Sequence, residues 1–132
     1  MNKTLEYESL TANLGVENLD ETVRFYTEIL EFNLVMKAPE TGELQWVMLS
    51  NGNAVIMFQD MDSLKVEFPN MSYNPSKSAI TFYVKVKNMH TLYEKLKGSV
   101  YLLGELQRTF YGADEFTIMD NNGYILTITE DK

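Results

Sequence analysis

The sequence contains no cysteine and only one histidine among its 132 residues. Without cysteine the chain has no disulfide and no thiolate nucleophile, which agrees with a reducing compartment. The one histidine, His90, cannot by itself build the multi-histidine sites that hold catalytic metals. It lies off the apolar stripe of a predicted helix, so we expect its side chain to face solvent.

Basic residues are also scarce, with 11 Lys and Arg against 19 Asp and Glu and a formal net charge of −8. Because nucleic-acid binding needs clustered Lys and Arg, this balance argues against a nucleic-acid partner. The acidity has two interpretations, which are solubility and attraction of a cationic ligand.

The sequence has no apolar run long enough to span a membrane, and residues 1–8 lack the apolar core of a signal peptide. We therefore expect a cytoplasmic protein without a membrane partner. The length and a hydrophobic content of 45% fit one compact domain over residues 1–132.

An internal repeat organises this domain. Val16-Glu17-Asn18-Leu19 resembles Val86-Lys87-Asn88-Met89, and the turn at Asn51 resembles the turn at Asn121. Each pair is 70 positions apart, from 16 to 86 and from 51 to 121. Two copies predict two similar modules packed together, with a cleft where small ligands bind.

Hydrophobic periodicity and turn residues predict the same β-α-β-β-β order in both modules. Module one, about residues 9–60, has a strand over 8–16, a helix over 19–30 capped by Asn18, and strands over 32–37, 43–50 and 54–60. Module two, about residues 78–131, has a strand over 80–86, a helix over 89–96 capped by Asn88, and strands over 99–104, 113–119 and 124–130. The connection, residues 61–77, contains Pro69 and Pro75 and is predicted to be irregular; whether it forms a mobile flap is left open by the sequence.

Strand parity separates two faces of the predicted sheet. The even positions of the first, fourth, fifth and eighth strands are mostly apolar and should face the helices. They are Leu14, Val16, Ile56, Phe58, Ile80, Phe82, Val84, Val86, Leu126 and Ile128. The odd positions form a polar, mostly uncharged face. A curved mixed sheet with its helices outside would wrap this face around a cavity, giving an α+β fold.

These landmarks resemble the vicinal oxygen chelate superfamily over about residues 9–131. Phe25-Tyr26 and Leu30-Glu31-Phe32 are similar to its Phe-Tyr and Leu-Gly-Phe landmarks. The stretch from Tyr111 to Phe116 is similar to its Tyr/Trp-Gly-x-Arg-Glu-Phe motif. The stretch from Asp120 to Tyr124 is similar to its Asp-Pro-x-Gly turn. Glu31, Asp114 and Asn121 depart from the family's Gly, Arg and Pro.

The resemblance also implies four positions where family enzymes carry His, Gln or Glu as metal ligands. In this chain they are Thr11, Met57, Thr81 and Thr127. Neutral hydroxyls and a thioether are poor ligands for the divalent metals of the family. We therefore expect no metal, no cofactor and no catalytic residue, as in the bleomycin-resistance proteins, which use a ligand groove at a dimer interface.

By this resemblance we expect the chain to be a homodimer that sequesters a cationic or aromatic small molecule, a role linked to antibiotic resistance. The expected ligand-binding residues combine apolar, aromatic and polar side chains. They are Asn13, Trp46, Met48, Met57, Gln59, Tyr83, Phe110, Tyr111, Glu115 and Thr127. Glu43 and Asp60 would add negative charge. Glu115 has a second interpretation, in which it makes a structural hydrogen bond and does not contact the ligand.

Three alternatives stay open. The first is a metal-dependent lyase, isomerase or dioxygenase of the glyoxalase type. The second is a metal-free enzyme that uses Tyr83 or Glu115, with Lys85 as an acid–base partner of Tyr83. The third is a sensor or scaffold module with a vestigial cavity.

Overall fold

A computed structural model describes residues 4–71 and 79–131, and it confirms an α+β fold built from two βαβββ modules. Module one contains β1 (Asn13–Val16), α1 (Leu19–Arg24), a π-helical turn (Phe25–Ile29), β2 (Asn33–Ala38), β3 (Trp46–Asn51), β4 (Ala54–Asp60) and α2 (Met61–Glu67). Module two contains β5 (Thr81–Lys85), α3 (Met89–Leu96), β6 (Gln107–Arg108), β7 (Ala113–Met119) and β8 (Ile125–Asp131).

The described strands form two mixed sheets of the same topology. Sheet one has the order β1-β4-β3-β2, and sheet two has the order β5-β8-β7-β6. In each sheet the first strand pairs in parallel with the last, which places Asn13 opposite Met57 and Tyr83 opposite Thr127. The 70-residue repeat is therefore a structural repeat.

The parity prediction is confirmed for most positions, because the even residues of these strands pack toward the helices. Leu14, Val16, Ile56, Phe58, Leu126 and Ile128 are buried in one core shared by both modules. Phe82, Val84 and Val86 are partly buried against that core. Ile80 is the exception, since it precedes β5 and is exposed. None of the helices in the described ranges has the length and apolar character needed to cross a bilayer.

The two helix N-termini are capped differently. Asn18 caps α1 as predicted, its side chain accepting a hydrogen bond from the Glu21 backbone N–H at 3.0 Å. The predicted cap of α3 is wrong, because Asn88 adopts a left-handed conformation with φ 64° and its side chain makes no cap bond. The Glu130 carboxylate replaces it, accepting from the backbone N–H groups of Asn88 and Met89 at 3.2 and 3.0 Å.

The first helix ends in a π-helical turn and then at Glu31, which has φ 62°. A left-handed residue after a helix is usually glycine, which is the residue that the superfamily has here. The glutamate is held in this conformation by Asn51, whose side-chain N–H donates to the Glu31 carbonyl at 2.8 Å.

Several predicted bounds are wrong. The first strand begins at Asn13 and not at residue 8. Residues 99–104 do not form a strand. They include only an isolated bridge between Leu102 and Ile118, and β6 at Gln107–Arg108 supplies the fourth strand of sheet two. The tightly turning Gly98, with φ 82°, precedes this stretch and Gly104 ends it, which leaves little room for a regular ladder.

The predicted irregular connection contains a helix, α2, and its residues 72–77 lie outside the described residues, as does the question of a flap there. Asp60 caps α2, accepting from the Ser63 backbone N–H at 3.3 Å. Met61 and Leu64 are buried where α2 crosses β1. A Cβ at Gly15 would lie 2.7 Å from Leu64 Cδ2, so the glycine permits this close approach.

The modules are joined through the buried carboxylate of Asp120, which is 2% exposed. Its Oδ2 accepts a hydrogen bond from the Tyr26 hydroxyl at 2.7 Å. Its Oδ1 accepts from the backbone N–H groups of Asn122 and Tyr124 at 2.8 and 2.9 Å. Burial, followed by the charge of Asp120, raises the pKa of Tyr26 well above its usual range, so the phenol remains a donor.

Further contacts join the modules beside this carboxylate. The Tyr124 hydroxyl donates to the Gly15 carbonyl at 2.9 Å. The Lys95 ammonium donates to the carbonyls of Glu28 and Ile29 at 2.7 and 3.0 Å, at the end of the π-helical turn. These contacts fix module two against the first helix of module one.

We expect Tyr26→Phe to lower the free energy of unfolding by about 1.5–3 kcal/mol, because a buried carboxylate loses a hydrogen bond. Tyr124→Phe is the matched control, since it removes a bond to a neutral carbonyl and should cost about 0.5–1.5 kcal/mol. Urea denaturation of both variants measures the difference. Equal losses would show that Asp120 does not hold the modules more strongly than an ordinary contact does.

Candidate functional site

The exposed face of sheet two carries two tyrosines and one carboxylate, which we call the tyrosine–glutamate cluster. Its members are Tyr83 on β5, Tyr111 before β7 and Glu115 on β7. The Tyr83 hydroxyl donates to Glu115 Oε2 at 2.6 Å and lies 3.4 Å from Thr129 Oγ1. The Tyr111 hydroxyl donates to the same carboxylate oxygen. Both rings are more than half exposed.

The hydrogen bonds of the cluster decide its charge. The bond from Tyr111, followed by the bond from Tyr83, lowers the pKa of the Glu115 carboxyl below its ordinary 4.5. The bond to Glu115 raises the pKa of the Tyr111 phenol well above 10.0. At neutral pH Glu115 is therefore a carboxylate that accepts a hydrogen bond from the neutral phenol of Tyr111.

Other predicted site residues surround the cluster. Phe110 is fully exposed, and its ring lies edge-to-face against Tyr111 with centroids 4.9 Å apart. Thr127 lies opposite Tyr83 in the parallel ladder, on the same face. Together with the cluster they add a phenyl ring, packed edge-on against Tyr111, and a further hydroxyl group.

Methionines form a row across sheet one. The strand register places Asn13, Met57, Met48 and Met36 opposite one another in turn across all four strands. Trp46 lies opposite Gln59 in the next row. Met48, Met57 and Trp46 are half-buried, so the structure brings the predicted residues of module one together on one face.

Gln59 and Asn13 belong to a polar chain that we call the amide network, which also includes Ser63 and Glu67 of α2. Asn13 Nδ2 donates to Gln59 Oε1 at 2.8 Å. Gln59 Nε2 donates to Ser63 Oγ and to Glu67 Oε1, both at 3.0 Å. Gln59 is thus buried beneath α2, at 6% exposure, and does not lie open on a cavity wall.

Ser63 and Glu67 were absent from the sequence prediction. Their signal was their own four-residue spacing, which places Ser63 and Glu67 on one side of a helix directly after Gln59 and Asp60 end β4. Interpreting residues 61–77 as irregular hid that pattern.

The four family metal positions do not hold a ligand set. In the parallel ladders the residue opposite Thr127 is Tyr83, and the residue opposite Met57 is Asn13. Thr81 and Thr11 are therefore not the direct neighbours of Thr127 and Met57. Across residues 4–71 and 79–131, no three His, Cys, Asp or Glu side chains come together as metal ligands would. The chemistry present on these faces is that of amides, hydroxyls, thioethers and isolated carboxylates.

Of the other candidate groups, His90, Lys85 and Asp60 have structural partners. His90 is exposed, but its Nε2 lies 3.7 Å from Asp114 Oδ2. The other oxygen of that carboxylate, Oδ1, accepts a hydrogen bond from Arg108 Nε at 2.6 Å. Lys85 pairs with Asp131 at 3.2 Å, whereas the Tyr83 hydroxyl donates to Glu115, so these two partners, and not each other, engage the Tyr–Lys pair of the metal-free alternative. Asp60 caps α2, and Glu43 is exposed in the loop before β3.

A cleft of about 330 Å³ lies where the modules meet. It is lined by the end of β1, the start of β5 and the turn from Asn121 to Tyr124, with Glu17 and Glu21 among its polar residues. None of the ten predicted ligand-binding residues lines it.

Comparison with known proteins places this geometry in a family. The sequence matches the family model of the Glyoxalase/Bleomycin resistance protein/Dioxygenase superfamily over residues 9–128. No curated protein has significant sequence similarity to the chain.

Solved structures share the fold at low identity. A glyoxalase-related enzyme from Fulvimarina pelagi has a TM-score of 0.75 at 18% identity, covering 95% of this chain and 89% of its own. The bleomycin resistance determinant encoded on the transposon Tn5 has a TM-score of 0.67 at 19% identity, covering 96% and 99%. A bleomycin-binding protein in complex with bleomycin has a TM-score of 0.64 at 19% identity, covering 96% and 100%.

At these identities the structural likeness concerns the fold, whereas the family model concerns the sequence itself and spans most of it. The chain belongs to the Glyoxalase/Bleomycin resistance protein/Dioxygenase superfamily.

Proposed function

We propose that the chain is a non-catalytic small-molecule binding protein of the bleomycin-resistance type. The observation that carries this proposal is the tyrosine–glutamate cluster, in which two exposed rings flank one carboxylate. The bleomycin-binding protein with the same fold supports the class of function. Sequestration needs no chemistry, since binding alone lowers the free concentration of a ligand.

The expected ligand is an aromatic cation. Aromatic faces attract cations and stack on flat rings, and the carboxylate of Glu115 adds a full negative charge at the same place. The formal net charge of −8 adds long-range attraction for a cation and repels anions. We expect the protein to act in the cytoplasm.

The same cluster is poorly suited to acid–base catalysis, which argues against the metal-free enzyme. A general base or acid works best with a pKa near the working pH. Hydrogen bonding instead lowers the pKa of Glu115 and raises the pKa of Tyr111, so both shifts lead away from neutrality.

Binding at a dimer interface is the second part of the proposal. One chain leaves Phe110, Tyr111 and Tyr83 exposed on sheet two, and Leu34, Val35 and Met36 exposed at the edge of sheet one. Apolar surface of this kind is usually covered by a partner or a ligand.

We expect native mass spectrometry of the protein at micromolar concentration to give twice the chain mass of 15.2 kDa. A monomer mass, unchanged when ligand is added, would contradict the interface model.

We expect the N,N,N-trimethyl-2-phenylethylammonium cation and bleomycin to bind, and Glu115→Gln to weaken the aromatic cation about tenfold or more, because charged contacts are lost. Isothermal titration calorimetry measures both. Glu94→Gln, which removes an exposed carboxylate on α3, is the control and should leave affinity unchanged. If both variants bind as the unaltered protein does, the cluster is not the site.

The depressed pKa of Glu115 predicts how binding depends on pH. The carboxylate stays charged below its ordinary 4.5, so cation affinity should persist there and fall only as pH drops through the lowered value. Because the pKa of Glu115 is lower in the folded protein, its hydrogen bonds stabilise the fold at higher pH. This stabilisation is lost as pH falls through the lowered pKa.

Carbon-detected NMR titration of the Glu115 carboxyl tests this directly. Tyr111→Phe should raise its midpoint more than Tyr83→Phe does, since the Tyr111 bond is the larger cause. A midpoint that neither substitution moves would show that the hydroxyls do not hold the charge.

A further inference from the structure

The sequence has two Asn-Gly pairs, Asn51-Gly52 and Asn122-Gly123. Asparagine before glycine is the pair most prone to spontaneous deamidation, because glycine has no side chain to hinder attack of its backbone nitrogen on the neighbouring amide. Both pairs lie in the turn before the last strand of a module. The structure holds the two turns differently, so the chain contains its own comparison.

The turn at Asn122-Gly123 is held by Asp120. The Asp120 carbonyl accepts a hydrogen bond from the Gly123 N–H at 3.2 Å, and its Oδ1 accepts from the Asn122 N–H at 2.8 Å. The side-chain oxygen of Asn122 accepts from the Thr22 hydroxyl at 3.3 Å. Because the Gly123 nitrogen must leave its hydrogen bond before it can attack, this pair should react slowly.

The turn at Asn51-Gly52 is open. Asn51, Gly52 and Asn53 are exposed, and a Cβ placed on Gly52 would have no atom within 4 Å. Within residues 4–71 and 79–131, the Gly52 N–H makes no hydrogen bond. The attacking nitrogen and the space for a cyclic product are therefore both present.

The side chain of Asn51 has a structural role that deamidation would end. Its Nδ2 donates to the Glu31 carbonyl at 2.8 Å, and Glu31 has φ 62°. A residue with a side chain adopts this left-handed conformation at a cost that surrounding contacts must offset. An amide nitrogen donates hydrogen bonds, whereas a carboxylate only accepts them. Converting Asn51 to an acid would therefore place a charged acceptor against the Glu31 carbonyl.

We propose that Asn51 is a site of spontaneous deamidation, which releases Glu31 from its left-handed conformation. The Gly52 nitrogen attacks the side-chain carbonyl carbon of Asn51, and the amide group leaves as ammonia with the proton that the nitrogen loses. Water then opens the resulting cyclic imide at either carbonyl, giving aspartate or isoaspartate. The net change is hydrolysis of one amide, so no oxidant or reductant takes part.

Peptide mapping by mass spectrometry, with enzymatic methylation of isoaspartate, measures the conversion of both pairs in mildly alkaline buffer. In the folded protein Asn51 should convert at least about tenfold faster than Asn122, because the hydrogen bond at Gly123 must break before attack. In urea-unfolded protein the two rates should become similar. Equal rates in the folded protein, a faster rate at Asn122, or a ratio that unfolding does not change would overturn the proposal.

The effect on Glu31 is tested with variants. Asn51→Asp reproduces one product and should lower the melting temperature by about 2–6 °C, the usual effect of losing one hydrogen bond. Asn53→Asp adds the same charge on the same exposed turn, so it is the matched control and should change the melting temperature little.

Glu31→Gly supplies the second comparison, because glycine adopts the left-handed conformation without strain. In that background Asn51→Asp should lower the melting temperature less than it does in the unaltered protein. If Asn51→Asp alone does not fold, adding Glu31→Gly should restore folding. Equal effects of the substitutions at Asn51 and Asn53, or an undiminished effect in Glu31→Gly, would contradict the release of Glu31.

Discussion

The buried Asp120 carboxylate is the constraint on which the arrangement of the two modules depends. Three donors satisfy it, the Tyr26 hydroxyl from module one and two backbone N–H groups from its own turn. A carboxylate in this position is tolerated only because every donor is present at once. These hydrogen bonds hold the turn before β8 against the first helix, and they thereby help to fix the position of one sheet relative to the other.

The two sheet faces show how a duplicated module can acquire two chemistries. The registers make Asn13 equivalent to Tyr83, Gln59 equivalent to Thr129, and Trp46 equivalent to Glu115. One copy combines amides with an indole, and the other combines a phenol with a carboxylate. The parallel pairs β1–β4 and β5–β8 have equivalent registers, so at these positions the two modules differ in their side chains.

Much of this fold was predictable, because its signals are local. The hairpin turns, the parity of the strands and the helices starting after Asn18 and Asn88 follow from spacing within short windows. The 61–67 helix was missed because the nearby prolines outweighed a short four-residue periodicity. The capping of α3 by Glu130 was not predictable from local sequence, because Glu130 follows the capped residues Met89 and Asn88 by 41 and 42 positions.

The sequence could predict which strand face the candidate residues occupy, but not how they are arranged there. Parity assigned Asn13, Tyr83 and Thr127 to the face away from the helices, in agreement with the strand registers, whereas Gln59 is buried beneath α2. Nothing in the sequence indicated that two hydroxyls would converge on Glu115 or that α2 would cover Gln59. Such convergence depends on tertiary register and on rotamers, which no local pattern encodes.

The convergence of both tyrosine hydroxyls on Glu115 has a consequence for selectivity. Because these hydroxyls already donate to Glu115, a molecule bound on sheet two would meet ring faces and a negative charge, which do not distinguish ligands by the positions of their hydrogen-bonding groups. Sites that hydrogen-bond a specific group of the ligand reject an analogue lacking it by about 10⁴- to 10⁵-fold. A surface of rings and one fixed charge has no comparable means of rejection, so it should accept a series of related cations rather than a single compound.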